Sequence, residues 1–356
     1  VTRSMSPVRE VARRVLDEGY LEIMTTSHHT EVGALPAPRG ELSAGIVDVL
    51  SGAPGSAVPT LPEVDPYGED FQLALHTCYE LHYYGYRAVD DGWEWDPGLL
   101  ALRATMEQHY LRALRADVPG GTDLDAELEQ LLVTPVEESG VSAFLRDEGE
   151  PWQLREYFVH RSIYHHKEAD PYAWVIPRLR GQAKASLVAV EFDEFGGGRG
   201  ERVHAKLYAD LLAGAGLNPD YLHYLDIVPA PMLALVDMMS LFGLHRAWRG
   251  ALVGHFATVE ITSPPGSRRM AQALGRWDSD PACALFYNEH VEADAVHEQV
   301  MREAITDLLD REPELRESVV LGIQVTNMLE DRFGDHVLGC WRADRTSLRE
   351  PLDDRD

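Results

Sequence analysis

Phe286-Tyr-Asn-Glu-His290-Val-Glu-Ala-Asp294-Ala-Val-His297 is the stretch on which the reading of the chain turns. Helical residues rotate by about 100° each, so offsets of four and seven return to within about 40° of the starting direction. His290, Asp294 and His297 therefore share one stripe about two turns long. Two imidazoles and a carboxylate bring neutral nitrogen and charged oxygen donors to one point, which suits a first-row metal. The competing reading is a polar helix face with coincidental histidines, and Glu289, Glu292 and Glu298 make the segment partly solvated.

The same three- and four-residue recurrence extends outward from this stretch. Helices are expected over 69–88, 97–116, 123–133, 151–165, 171–194, 201–213, 219–225, 231–242, 245–262, 267–276, 281–308 and 313–333. Gly or Pro marks most boundaries, including Asp170-Pro171, Gly196-Gly197-Gly198 and Pro264-Pro265. Val8 to Met24 reads as a further amphipathic helix. Gly33 to Pro66 is rich in Pro, Gly, Ser and Ala without a sustained period, which reads as an extended arm or linker. Alternation is scarce outside His336 to Leu348, where a short strand is expected. The fold class is all-α: an N-terminal extension over 1–68, a helical domain over 69–335 and a tail over 336–356.

Composition bounds the function. Of 356 residues, 45% are hydrophobic and 26% charged, an ordinary globular balance. Against 59 acidic residues stand 32 basic ones, for a net charge of −27, which argues against nucleic-acid and membrane-surface partners. Only three of the basic residues are lysines: Lys167, Lys184 and Lys206. Cys78, Cys283 and Cys340 form neither a disulfide framework nor a Cys-x-x-Cys knuckle, which fits a reducing cytosol. The first residues, Val1 to Tyr20, lack an apolar h-region and do not read as a signal peptide. The most apolar stretch, Ile227 to Leu244, is interrupted by Pro229, Pro231 and Asp237 and does not read as a membrane span. A cytoplasmic protein is expected.

Three further segments carry candidate ligands. Glu194 ends the apolar run Ala183 to Val190, three glycines follow, and His204 lies ten residues on. The glycines precede no Gly-Lys-Ser/Thr, so close backbone approach explains them better than a phosphate cradle. Glu168 sits where one helix yields to another, before the helix start Asp170-Pro171. Glu260 is a lone acid in an apolar helix, needing either a metal or an arginine such as Arg246, Arg249, Arg268 or Arg269. Glu168, Glu194, Glu260 and Asp294 contribute four negative charges; His204, His290 and His297 add three nitrogens. Two divalent ions neutralise such a set, and without them like charges converge. The donors describe a diiron carboxylate site. A ferritin-like arrangement would use Glu201-x-x-His204 and Asp294-x-x-His297 with Glu168 and Glu260, but it leaves His290 superfluous.

From Arg161 to Met301 the chain resembles the haem-oxygenase-like diiron oxidases. The resemblance rests on Tyr164-x-x-Lys167-Glu168-Ala-Asp170, on Glu194-Phe-Gly-Gly-Gly-Arg199 with His204, and on His290-x3-Asp294-x2-His297. Cys78 to Tyr86 and Asp90 to Pro97 are similar to the N-terminal part of iron-containing redox members. The resemblance implies a haem-oxygenase-like helical bundle and metal ligands at Glu168, Glu194, His204, His290, Asp294 and His297, with Glu260 as a seventh. It implies two irons rather than haem, dioxygen as co-substrate, an external reductant and a place in natural-product biosynthesis. Small carboxylates, either amino acids or fatty acids, are the implied substrates. Arg178, Lys184 and Arg268 are candidates to hold the carboxylate. The polar, histidine-rich surroundings favour oxidation of an unactivated C–H bond of a small amino acid, by desaturation, C–C cleavage or cyclisation. N-oxygenation of an amine and ferritin-like iron handling are the alternatives. The electron donor is not legible, and a homodimer is among the assemblies left open.

Overall fold

The computed structural model describes residues 32–132, 139–277 and 279–352, with the side chains of 292–296 also outside the description. The expected helix at Val8 to Met24 and the Asp294 side chain thus lie outside the described residues.

Thirteen α-helices and no strand occur among the described residues. They are α1 (Glu41–Leu50), α2 (Glu69–Glu80), α3 (Pro97–Ala116), α4 (Leu124–Leu132), α5 (Val141–Asp147), α6 (Pro151–His165) and α7 (Asp170–Ala173). The series continues with α8 (Gly181–Glu194), α9 (His204–Gly214), α10 (Ala230–Leu244), α11 (Arg249–Leu274), α12 (Pro281–Arg311) and α13 (Arg316–Trp341). The described residues form one compact unit. No described helix is long and apolar enough to cross a membrane.

Helix α10 is buried almost all round, as its apolar sequence requires, and packs on α2, α6 and α13. One oxygen of its buried Asp237 lies 2.8 Å from His76 Nδ1. Helix α11 lies along both α12 and α13, and α12 in turn packs on α8 and α9. The α11/α13 crossing is closed by glycines. A Cβ at Gly322 would stand 2.0 Å from the Ala251 carbonyl oxygen, and one at Gly254 would stand 2.2 Å from that of Val319.

Several boundaries differ from the sequence reading. Within the expected arm Gly33 to Pro66, α1 buries Leu42, Ile46, Val49 and Leu50 against α2. Asp70 caps it, accepting from the Leu42 and Ser43 amides. The expected break at Pro264-Pro265 is absent: α11 continues through both prolines. Proline removes two backbone bonds there, but contacts along α12 and α13 outweigh that local loss. Conversely, the expected helix 171–194 is divided, because Pro177 and left-handed Gly181 (φ 58°) interrupt it. Residues 219–225 form turns, with Leu222 at φ 56°. The strand expected between His336 and Leu348 is also absent. Helix α13 runs to Trp341, and Glu156 then holds the following turn through the Trp341 indole and the Ser347 amide and hydroxyl.

Candidate metal centre

Five segments converge on one buried site. Glu168 occupies the turn between α6 and α7. That turn is fixed by its neighbour Lys167, whose Nζ lies 2.6 Å from Glu80 Oε2 under the Tyr83 ring. Tyr221 donates to the same Glu80 carboxylate at 2.8 Å. Glu194 is the last residue of α8 and His204 the first of α9. Between them Gly196, Gly197 and Gly198 all take positive φ. A Cβ at Gly196 would meet the Arg202 backbone at 2.6 Å, so this turn needs a glycine for close approach. Glu260 comes from α11, His290 and His297 from α12.

The six described candidates fall into two groups that share one residue. Donor atoms of Glu168, Glu194, His204 and His290 lie within 4.8 Å of one another, as do those of Glu194, Glu260 and His297. All are buried. Glu194 thus stands between two clusters. In contrast, Glu201 is exposed, so the ferritin-like Glu201-x-x-His204 pairing fails.

Hydrogen bonds set the imidazoles for this role. The His290 Nδ1–H donates to the Phe286 carbonyl at 2.8 Å, leaving Nε2 to face Glu168 Oε1 at 3.7 Å. His204 Nδ1 is 2.7 Å from Glu194 Oε2 and 3.7 Å from Glu168 Oε1. His297 meets Glu260 Oε2 at 2.9 Å and Asp193 Oδ2 at 3.1 Å. His165, one turn before Glu168, donates to its Oε2 and orients it. This positioning residue was not singled out in the sequence, although its i,i+3 spacing was visible.

Electrostatics follow from the convergence. Burial opposes ionisation of Glu168, but His165 and His290 hold its carboxyl below the usual range. Burial lowers His204 and His297, yet the facing carboxylates reverse this: Glu194 raises His204, and Glu260 with Asp193 raises His297 to about 9. One turn before Glu194, Glu191 has both oxygens buried without a hydrogen-bond partner, and burial followed by the Glu194 charge pushes its carboxyl up to about 10.

The donor set is compatible with metal binding. Glu168 Oε1 is buried and accepts no hydrogen bond among the described residues, while two imidazole nitrogens face it at 3.7 Å. Ligands about 2.1 Å from a first-row ion stand about 3.0–3.4 Å apart, so the spacing suits an ion better than a proton. Residues 155–331, which contain every candidate ligand, match the family model described as iron-containing redox enzyme. This chain belongs to that family. Its helices α6 to α13 form the haem-oxygenase-like bundle of the iron-containing redox enzymes, and its buried carboxylate–histidine clusters are compatible with iron. No curated protein matches the chain significantly.

A cavity of about 590 Å³ adjoins Glu168, Glu194, Glu260 and His290. Tyr164, Tyr172, Phe256 and Phe286 give it an aromatic wall; Arg161, Arg269 and Arg342 supply its cations. None of the three expected carboxylate holders lines it. Arg178 instead donates to the Gly243 and Leu244 carbonyls at the end of α10. Lys184 is half-buried on α8, and Arg268 is exposed beside the inward-facing Arg269.

Proposed function

We propose that the protein is a dioxygen-dependent, non-haem diiron oxidoreductase that oxidises an unactivated C–H bond of a small amino acid. The observation that carries this reading is the shared Glu194, which gives two buried donor groups a common carboxylate. Glu168, Glu194 and His204 would hold one iron with His290; Glu194, Glu260 and His297 would hold the other. Asp294 is proposed as the remaining ligand on family resemblance. The two irons supply reductive activation of dioxygen when bound.

The chain's own residues prepare that chemistry. His165 and the Phe286 carbonyl orient Glu168 and His290. Glu194 ends its helix before a glycine turn, so its carboxylate can adjust with little backbone resistance. Tyr164, Tyr172, Phe256 and Phe286 line the cavity beside the ligands and would limit the access of bulk water there. For a desaturation, the substrate gives up two hydrogens while two electrons come from an external one-electron donor. With two added protons they reduce one dioxygen to two waters.

The cavity with an aromatic wall and arginines supports oxidation of an organic substrate over iron handling. The ferrous protein, given each proteinogenic amino acid and then oxygen, should consume one of them with loss of hydrogen from carbon, read by mass spectrometry. Oxygen added to nitrogen alone would favour amine N-oxygenation. Iron oxidation with every amino acid intact would favour iron handling.

A further inference from the structure

The cavity wall carries two buried hydrogen-bond donors with no acceptor. Among the described residues the Tyr287 hydroxyl has no hydrogen-bond partner, and the residue is only 5% exposed. Arg161 Nε is likewise buried and unpartnered. Both residues line the cavity. Donors left unsatisfied in an interior are costly, and their natural complement is a ligand oxygen.

Arg161 is held in a defined pose. Its terminal fork donates to Glu330, Nη1 to Oε1 at 2.9 Å and Nη2 to Oε2 at 2.7 Å. Phe333, Tyr157 and Tyr164 flank the guanidinium, with ring centres 4.8–5.9 Å from its carbon. A guanidinium has a second donor edge that includes Nε–H, and Glu330 leaves that edge unused. Glu330 lines the same cavity with 35% of its side-chain surface accessible. Its carboxylate has lone pairs beyond those taken by Arg161 and can accept from an ammonium.

Resting on the reading of this cavity as the substrate site, we infer that Arg161, Tyr287 and Glu330 form the head-group subsite for an α-amino acid. Arg161 Nε and the Tyr287 hydroxyl donate to the carboxylate; Glu330 accepts from the ammonium. Both donors are closed off in the free protein, so on this proposal binding turns the two side chains toward the cavity. The placement also selects the carbon that reacts. Arg161 precedes His165 by one helical turn, and Tyr287 precedes His290 by slightly less, offsets of about 5 Å along α6 and α12. A head group held there keeps its α-carbon back from the ligand layer, so the side chain reaches the ligands. The oxidised position lies beyond the α-carbon.

The test uses the full chain loaded anaerobically with ferrous iron. Thermal shift identifies the tightest proteinogenic amino acid, and calorimetry then compares it with its decarboxylated amine and its deaminated acid. Both truncated analogues should bind at least tenfold more weakly. Tyr287→Phe should weaken the amino acid and the deaminated acid about tenfold, leave the amine unchanged and retain full iron content. Because that hydroxyl bonds to nothing among the described residues, the variant should fold as the parent does. Arg161→Lys should act in the same direction. Equal binding by Tyr287→Phe, or no amino acid bound by iron-loaded protein, overturns the subsite. Failure to load iron instead overturns the diiron reading.

Discussion

Gly322→Ala tests whether the α11/α13 crossing positions Glu260. The added Cβ would stand 2.0 Å from the Ala251 oxygen, and real Cβ contacts below 3.0 Å essentially do not occur, so the helices must part by about 1 Å. Overpacking of this kind costs about 1–3 kcal/mol, offset by about 0.5–1 kcal/mol from alanine's better helix propensity. The net loss of about 1–2 kcal/mol corresponds to a fall in Tm of about 1–3 °C for a chain of this size. Glu260 lies about 13 Å further along α11, so parting the helices also draws it from its 2.9 Å bond to His297. Ferrous affinity at the Glu260 cluster should fall as well. Gly339→Ala is the control: it is on the same helix, exposed, with nothing within 4 Å of the new Cβ, and should raise Tm by about 1 °C. Calorimetry and anaerobic iron titration read both effects. A Gly322→Ala protein that melts at or above the parent refutes the close-packed crossing.

His255 is buried, bonded to Tyr172 and Thr326, and pushed down to about 3 by burial. Its depressed folded value means the unfolded chain takes the proton first. Its contribution to stability is full above about pH 6.5 and falls by about 1.4 kcal/mol per unit as pH drops toward 3. His255→Gln should remove that slope, and an unchanged acid profile counts against it. His204→Ala should weaken the iron bound with Glu168 and His290, whereas His297→Ala should weaken the one bound with Glu260; Mössbauer spectra of the two variants should differ, and identical spectra would contradict separate clusters. Hydrogen exchange of residues 286–300 should slow when ferrous iron binds, because metal neutralises the converging carboxylates. Equal protection with and without iron would show that packing alone holds this helix.

Much of the fold was legible where local chemistry and packing agree. Helices α3 and α6 begin at the expected residues because each has proline at N1 followed by a sustained apolar period. Local rules failed where tertiary contacts prevailed. Pro264-Pro265 lies inside a helix flanked along its length by two others, while α1 hides in a Gly- and Pro-rich stretch and depends on α2 for its apolar partners. At the site, the placement of His290 and His297 along one helix was readable because helix geometry fixes it, whereas the approach of His204 to Glu194 depends on the glycine turn between α8 and α9. That Glu194 belongs to both groups was not readable, since it follows from three left-handed glycines and from α11 reaching across. The cavity's cations were misplaced for a similar reason: facing direction separates Arg269 from Arg268, and only packing against α5 and α13 sets it.

The central claim is that Glu194 is shared by two metal ions. Anaerobic ferrous titration, with iron counted per chain after desalting, tests it most directly in the parent and in Glu194→Ala. The account predicts two irons per chain in the parent and loss of both in the folded variant. Saturation of the parent at one iron, or a Glu194→Ala protein that keeps two, would contradict it.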